Sequence, residues 1–96
     1  FQELGRRAPA SELGPYGLAL VARAQGKLTE AAAQLERAAL VAPRPYVYKM
    51  LGEVAEARRD TRRAISAYRA ALNGHPPLDP REQEEAKARL ASLKGR

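Results

Sequence analysis

The chain has 96 residues, carries a formal net charge of +6, and is 45% hydrophobic but only 5% aromatic. With no cysteine, disulfide staples and thiolate metal sites are excluded, and no apolar run approaches the roughly 18 residues that would span a membrane. Alanine supplies much of the apolar content while Val, Ile and Thr are sparse, which points to an all-α domain of closely approaching helices.

The chain opens with Phe1, Leu4 and Pro9, which stand in the same register to one another as Leu35, Ala38 and Pro43 further on. Residues 1–11 therefore read as the second helix of a partial repeat, and a chain that starts on Phe is expected to be a piece of a longer array. Residues 12–44 form a full copy: Pro15-x2-Leu18-Ala19-x2-Ala22, a break at Gly26, then Ala31-x3-Leu35, Ala38 and Pro43. Residues 45–77 form the next: Tyr48-x2-Leu51-Gly52-x2-Ala55, a break at Arg59-Asp60, then Ala64-x3-Tyr68, Ala71 and Pro76. Leu18, Ala31, Ala38 and Pro43 thus recur as Leu51, Ala64, Ala71 and Pro76, every pair at one constant offset.

The breaks divide each copy into two helical segments of about 13 residues. In the segment from Thr61, the residues Ala64, Ile65, Tyr68, Ala71 and Leu72 make one continuous helical stripe, and Tyr48, Leu51, Gly52 and Ala55 make its partner. Ala19 and Gly52 are small and let the two helices of a pair cross closely, and Pro43 and Pro76 end the second helix of each pair. Pro15 stands where the second copy has Tyr48, which predicts looser packing in the first copy. Arg59 stands where the first copy has Gly26, which predicts a slightly altered turn that Asp60 still caps.

Residues 79–95 open with Asp79-Pro80-Arg81-Glu82, an N-cap, Pro at the first helical position and Glu three residues past the cap. Glu82, Glu84 and Glu85 near its start and Lys87, Arg89 and Lys94 toward its end complement the helix dipole. Its narrow apolar stripe, Ala86, Leu90 and Leu93, suits a terminal helix that covers the last repeat.

The repeat length, roughly 34 residues, fits tetratricopeptide or ankyrin repeats, and the Thr-Pro-Leu-His turn of ankyrin is absent. The second copy closely resembles the tetratricopeptide pattern of aromatic, Leu-Gly, aromatic, then Ala, aromatic and Pro, with Ala55 at the place of the second aromatic. The first copy matches it more weakly, and the resemblance covers about residues 1–76. It implies a single domain over 1–96 of antiparallel helix-turn-helix repeats, stacked as a short right-handed α-solenoid with a C-terminal capping helix. It also implies a protein–protein interaction scaffold that binds a peptide or helix of a partner in its concave groove.

The first helix of each pair lines that concave face in the family. Outside the packed stripe these helices present Leu13, Tyr16, Leu20 and Arg23 in the first copy, and Tyr46, Lys49, Met50 and Glu53 in the second. Five of the eight are apolar or aromatic, so an apolar-rich groove with a few charges is expected, with packing against neighbouring helices as the competing use of Tyr46 and Met50. Some family members hold a C-terminal carboxylate with Lys and Asn. The matching places here are Tyr16, Leu20, Met50 and Glu53, so that clamp is not expected.

Catalysis is not expected: one His, no Cys and scattered glycines offer neither an acid–base constellation nor a phosphate loop. His75 beside Pro76-Pro77 reads as a surface residue at a helix end, and no cofactor or metal is implied. Arg58, Arg59, Arg62 and Arg63 straddle the second turn and are the candidate anion or phosphate contact, although no aromatics interleave with them. A basic module on nucleic-acid backbone is thus the alternative to protein binding, and a regulatory segment of a larger enzyme is a third reading. Residues 1–11 lack the first helix of their own pair, so homodimerisation through that edge is a further expectation. The sequence does not fix a compartment, with the cytoplasm the default.

Overall fold

The computed structural model describes residues 13–95, so the partial repeat expected at 1–11 lies outside the described residues. These residues form five helices, α1 (Leu13–Ala24), α2 (Leu28–Val41), α3 (Pro45–Ala57), α4 (Thr61–Asn73) and α5 (Pro80–Lys94), and no strand occurs among them. Packing follows chain order: α1 lies on α2 and α3 on α4 most extensively, while α2 meets α3 and α4 meets α5. None of these helices is long and apolar enough to cross a membrane.

The two hairpin turns are built alike. After α1, the Lys27 amide donates to the Ala22 carbonyl at 2.8 Å and the Gly26 amide to Arg23 at 3.0 Å. After α3, at the equivalent place in the next copy, the Asp60 amide donates to Ala55 at 2.8 Å and the Arg59 amide to Glu56 at 2.9 Å. This crossed pair of bonds is the Schellman closure, and it needs a left-handed residue just past the helix. Gly26 supplies it at φ 76° and Arg59 at φ 61°. The altered turn expected from Arg59 is therefore not found; Arg59 takes the glycine conformation instead. Asp60 caps α4 as expected, its Oδ1 accepting from the Arg63 amide at 3.2 Å.

The core shows a matched exchange of volume. In the first pair Ala19, Ala22, Ala31, Leu35 and Ala38 are buried, and in the second Ala55, Ala64, Tyr68 and Ala71. Where α1 and α2 meet through Ala19 and Leu35, the register-equivalent residues of α3 and α4 are Gly52 and Tyr68. A methyl group at Gly52 would sit 2.8 Å from the Tyr68 ring, so the larger aromatic requires the smaller partner. The loosening expected at Pro15 is not seen, since Pro15 falls in the first turn of α1, where proline is tolerated, and Ala19 is 1% exposed.

Each later element is joined to the earlier pair by residues seven apart on its leading helix. Val47 and Val54 of α3 are fully buried in the α1–α2 cluster, and Ala86 and Leu93 of α5 are buried with Ala64 and Tyr68 of α4. Two residues seven apart recur on one face after two turns, which is the narrow stripe a docking helix needs. Leu90 is half-buried beside them, and Asp79 caps α5 by accepting from the Glu82 amide at 2.9 Å. Val21, the counterpart of the fully buried Val54, is 41% exposed.

Candidate functional site

Three helices, α1, α3 and α5, contribute side chains to one groove of about 450 Å³ that includes Arg23, Lys49, Glu53, Glu56, Glu85 and Arg89. The helical register explains the convergence: Lys49, Glu53 and Glu56 follow one another at spacings of four and three, as do Glu85 and Arg89 at four. Tyr68 of α4 forms part of the lining.

Within the groove the charges are cross-linked. Arg23 Nη1 of α1 lies 3.0 Å from Glu53 Oε1 of α3. Lys49 Nζ reaches Glu53 at 3.4 Å on its own helix and Glu85 of α5 at 3.0 Å. Arg89 of α5 grips both carboxylate oxygens of Glu56, with Nε 2.9 Å from Oε1 and Nη2 bonded to Oε2. Glu56 Oε1 also accepts from the Tyr68 hydroxyl at 2.7 Å. Arg23, Lys49 and Arg89 are matched by Glu53, Glu56 and Glu85, so the groove is formally neutral although the chain is not.

These contacts set the protonation behaviour. Burial, reinforced by the hydrogen bond to Glu56, pushes the Tyr68 phenol well above its ordinary range. Burial and the neighbouring Glu53 carboxylate also raise Tyr16. For Lys49, burial works against the charge, but the bonds to Glu85 and Glu53 outweigh it and raise the ammonium. Glu56 holds the Arg89 guanidinium up in the same way.

The candidate face read from the sequence is accounted for residue by residue. Arg23, Lys49 and Glu53 lie in the groove itself. Tyr16 and Tyr46 meet edge to face with ring centroids 5.0 Å apart, and Met50 is half-buried against the same core with its sulfur beside the Arg23 guanidinium. Tyr16, Tyr46 and Met50 therefore use much of their surface in joining α1 to α3. Leu20 is exposed, and the side chain of Leu13 lies outside the described residues. The groove is thus charged where an apolar-rich surface was expected. Glu56, Tyr68, Glu85 and Arg89 were not anticipated from sequence, although Glu85 and Arg89 at i, i+4 on α5 could have extended the face.

The arginine cluster is divided by the fold. Arg63 pairs with Glu36 of α2 at 3.3 Å and with Asp60 at 3.4 Å. Arg58, Arg59 and Arg62 are exposed, and their side chains have no ion-pair partner among the described residues. His75 is exposed, and no three metal-ligating side chains converge among the described residues. No family model matches the chain, and no curated protein matches it significantly.

Proposed function

We propose that this chain is a tetratricopeptide-type repeat module, a short right-handed α-solenoid closed by α5, that binds a segment of a partner protein across the groove of α1, α3 and α5. One observation carries this reading. The Schellman turn, with the same bonds and a left-handed residue at the same place, closes both hairpins at equivalent positions, and the leading helix of each pair feeds one groove. Stacked pairs of this kind present their leading helices as a continuous surface, and such surfaces hold peptides.

The groove's chemistry narrows the partner. A neutral site with alternating charges selects a segment whose own charges alternate, since each partner carboxylate or ammonium can replace one existing bond. The Arg23–Glu53 pair is the more exposed one, and such pairs contribute only about 0–1 kcal/mol, so exchanging it costs little. Leu20, exposed on α1 three residues before Arg23, offers an apolar contact, and neither a cofactor nor a catalytic step enters this function.

Selection from a displayed random-peptide library tests it, with counter-selection on a Lys49→Glu/Glu53→Lys variant. That exchange keeps the composition but sets like charges against Glu85 and Arg23. Peptides chosen by the wild type are expected to bind at least tenfold more weakly to the variant, with helical content unchanged by circular dichroism. Equal binding to both proteins would remove the groove as the site. Salt-dependent binding of unrelated oligonucleotides, with no peptide selected, would favour the nucleic-acid reading instead.

A further inference from the structure

On the opposite stripe of α3 lies a second cavity, walled by both helices of the second repeat and by Ala32 and Glu36 of α2. It measures about 330 Å³, opens between α2, α3 and α4, and has an apolar floor that includes Leu51, Ala55, Ala67 and Ala70. The hollow exists because α4 turns two alanines, Ala67 and Ala70, toward it. At the register-equivalent places in the first repeat stand Gln34 and Arg37. The fold therefore does not demand alanine there, since the first pair packs with long polar side chains at the same positions.

The rim is basic in the same repeat-specific way. Arg58 and Arg63 border the cavity, where the first repeat carries Gln25 and Glu30. Arg58 makes no side-chain ion pair among the described residues, and Arg63 is engaged only in exposed pairs with Glu36 and Asp60. Around the shared lining residue Ser66 the surface continues into a shallower hollow bordered by Arg62 and Arg69, which also lack ion-pair partners among the described residues. Tyr48 and Ser66 line the cavity, and their hydroxyls have no hydrogen-bond partner among the described residues. An apolar floor beneath free hydroxyls and unpaired guanidinium groups is the chemistry of a binding site.

We infer that this cavity is a second docking site, distinct from the groove, for an acidic segment of a partner protein that inserts one bulky apolar side chain between α2 and α4. Charge complementarity and the apolar floor together fix the occupant. A cavity of this size sits at the small end of ligand sites, enough for a Leu, Phe or Trp side chain. Arg58 then meets a carboxylate beside that side chain, and Arg62 and Arg69 meet further acidic residues along the segment. Nucleic acid fits less well, because Tyr48 is the single aromatic among the cavity's lining residues, too few to stack successive bases, and Glu36 stands at the rim.

The test uses amide chemical-shift mapping of the full chain with three probes. One is a short Asp/Glu-rich peptide with a central Phe, the second is the same peptide with Ser for Phe, and the third is an oligothymidylate long enough to cross the domain. The Phe peptide is expected to shift the amides around Ser66, Ala67 and Ala70 and to bind at least tenfold more tightly than the Ser peptide. Arg58→Glu is expected to weaken it at least tenfold. Ala67→Gln/Ala70→Arg, which installs the residues of the first repeat and fills the cavity, is expected to abolish it with the far-ultraviolet spectrum unchanged. Lys49→Glu/Glu53→Lys should leave this binding intact, which separates its failure from failure of the groove. Equal affinity for the Phe and Ser peptides, tighter binding of the oligonucleotide, or shifts confined to the groove would each overturn the assignment.

Discussion

Replacing Arg59 with glycine should make the protein more stable, although it removes a side chain and adds nothing. Arg59 holds φ 61°, a conformation in which the Cβ of an L-residue crowds the following carbonyl at a cost of about 1–2 kcal/mol. Glycine escapes that crowding but loses more freedom on folding, roughly 0.5 kcal/mol in this setting. The Arg59 side chain is exposed and has no ion-pair partner among the described residues, so little is lost with it. The net expectation for Arg59→Gly is about 1 kcal/mol of added stability, or roughly 4–8 °C in Tm for a domain of this size. Urea unfolding followed by circular dichroism measures it. Since the substitution also lowers a net charge of +6, Arg59→Ala serves as the control, removing the charge while keeping the strained backbone. The exchange Gly26→Arg/Arg59→Gly gives a second control at constant composition. Nothing lies within 4 Å of a Cβ at Gly26, so that position carries only the backbone penalty and the exchange should be near neutral. If Arg59→Gly were no more stable than Arg59→Ala, the backbone argument would be refuted.

Gly52→Ala should cost about 1–3 kcal/mol, because its methyl meets the Tyr68 ring at 2.8 Å. The same substitution placed on Tyr68→Leu should recover stability, since it recreates the Ala19–Leu35 pair, and a double-mutant cycle should show a coupling above about 1 kcal/mol. Tyr68 keeps its proton more firmly in the folded state than in the unfolded one, so its contribution is complete below about pH 10 and is lost as pH rises through the raised folded value. Tyr16 and Lys49 act with the same sign, so stability should fall above about pH 10, and Tyr68→Phe should make that fall shallower by up to one proton in a denaturation series. Leu93→Ala should cost about 2–4 kcal/mol and raise hydrogen exchange in α5 and α4 before α1 and α2, since Leu93 is buried with Ala64 and Tyr68.

Local chemistry was legible in the sequence and long-range partnership was not. The breaks at Gly26 and Asp60, the cap at Asp79 and the buried stripe of Ala31, Leu35 and Ala38 all follow from neighbours within one or two turns. The conformation of Arg59 was missed because propensity argues against a left-handed arginine, whereas the packing of α3 on α4 fixes the turn whatever residue occupies it. The charged groove was missed for a different reason. On its own helix Lys49 has Glu53 within reach, but its other partner, Glu85, stands on α5, and that pairing depends on how α5 settles against α3 and α4. The apolar reading of Tyr16, Tyr46 and Met50 treated them as surplus to the helix pair, when the space between α1 and α3 uses them.

Comparing the two repeats position by position separates what folding requires from what it leaves free. Ala22 and Ala55, Ala31 and Ala64, and Ala38 and Ala71 keep both identity and burial, and where Leu35 becomes Tyr68 the partner shrinks from Ala19 to Gly52 to compensate. The two candidate binding surfaces lie where the copies disagree. In the groove, Arg23 of the first repeat corresponds to Glu56 of the second, and each finds an opposite charge on the next leading helix, Glu53 and Arg89. A first-repeat helix stacked on another copy of itself would place Leu20 where Arg23 now finds Glu53. The sign of the pair thus reverses from one copy to the next, and each charge meets its opposite on the following leading helix. The groove's six charges cancel, so the net charge of +6 comes from residues outside it, the three arginines of α4 among them.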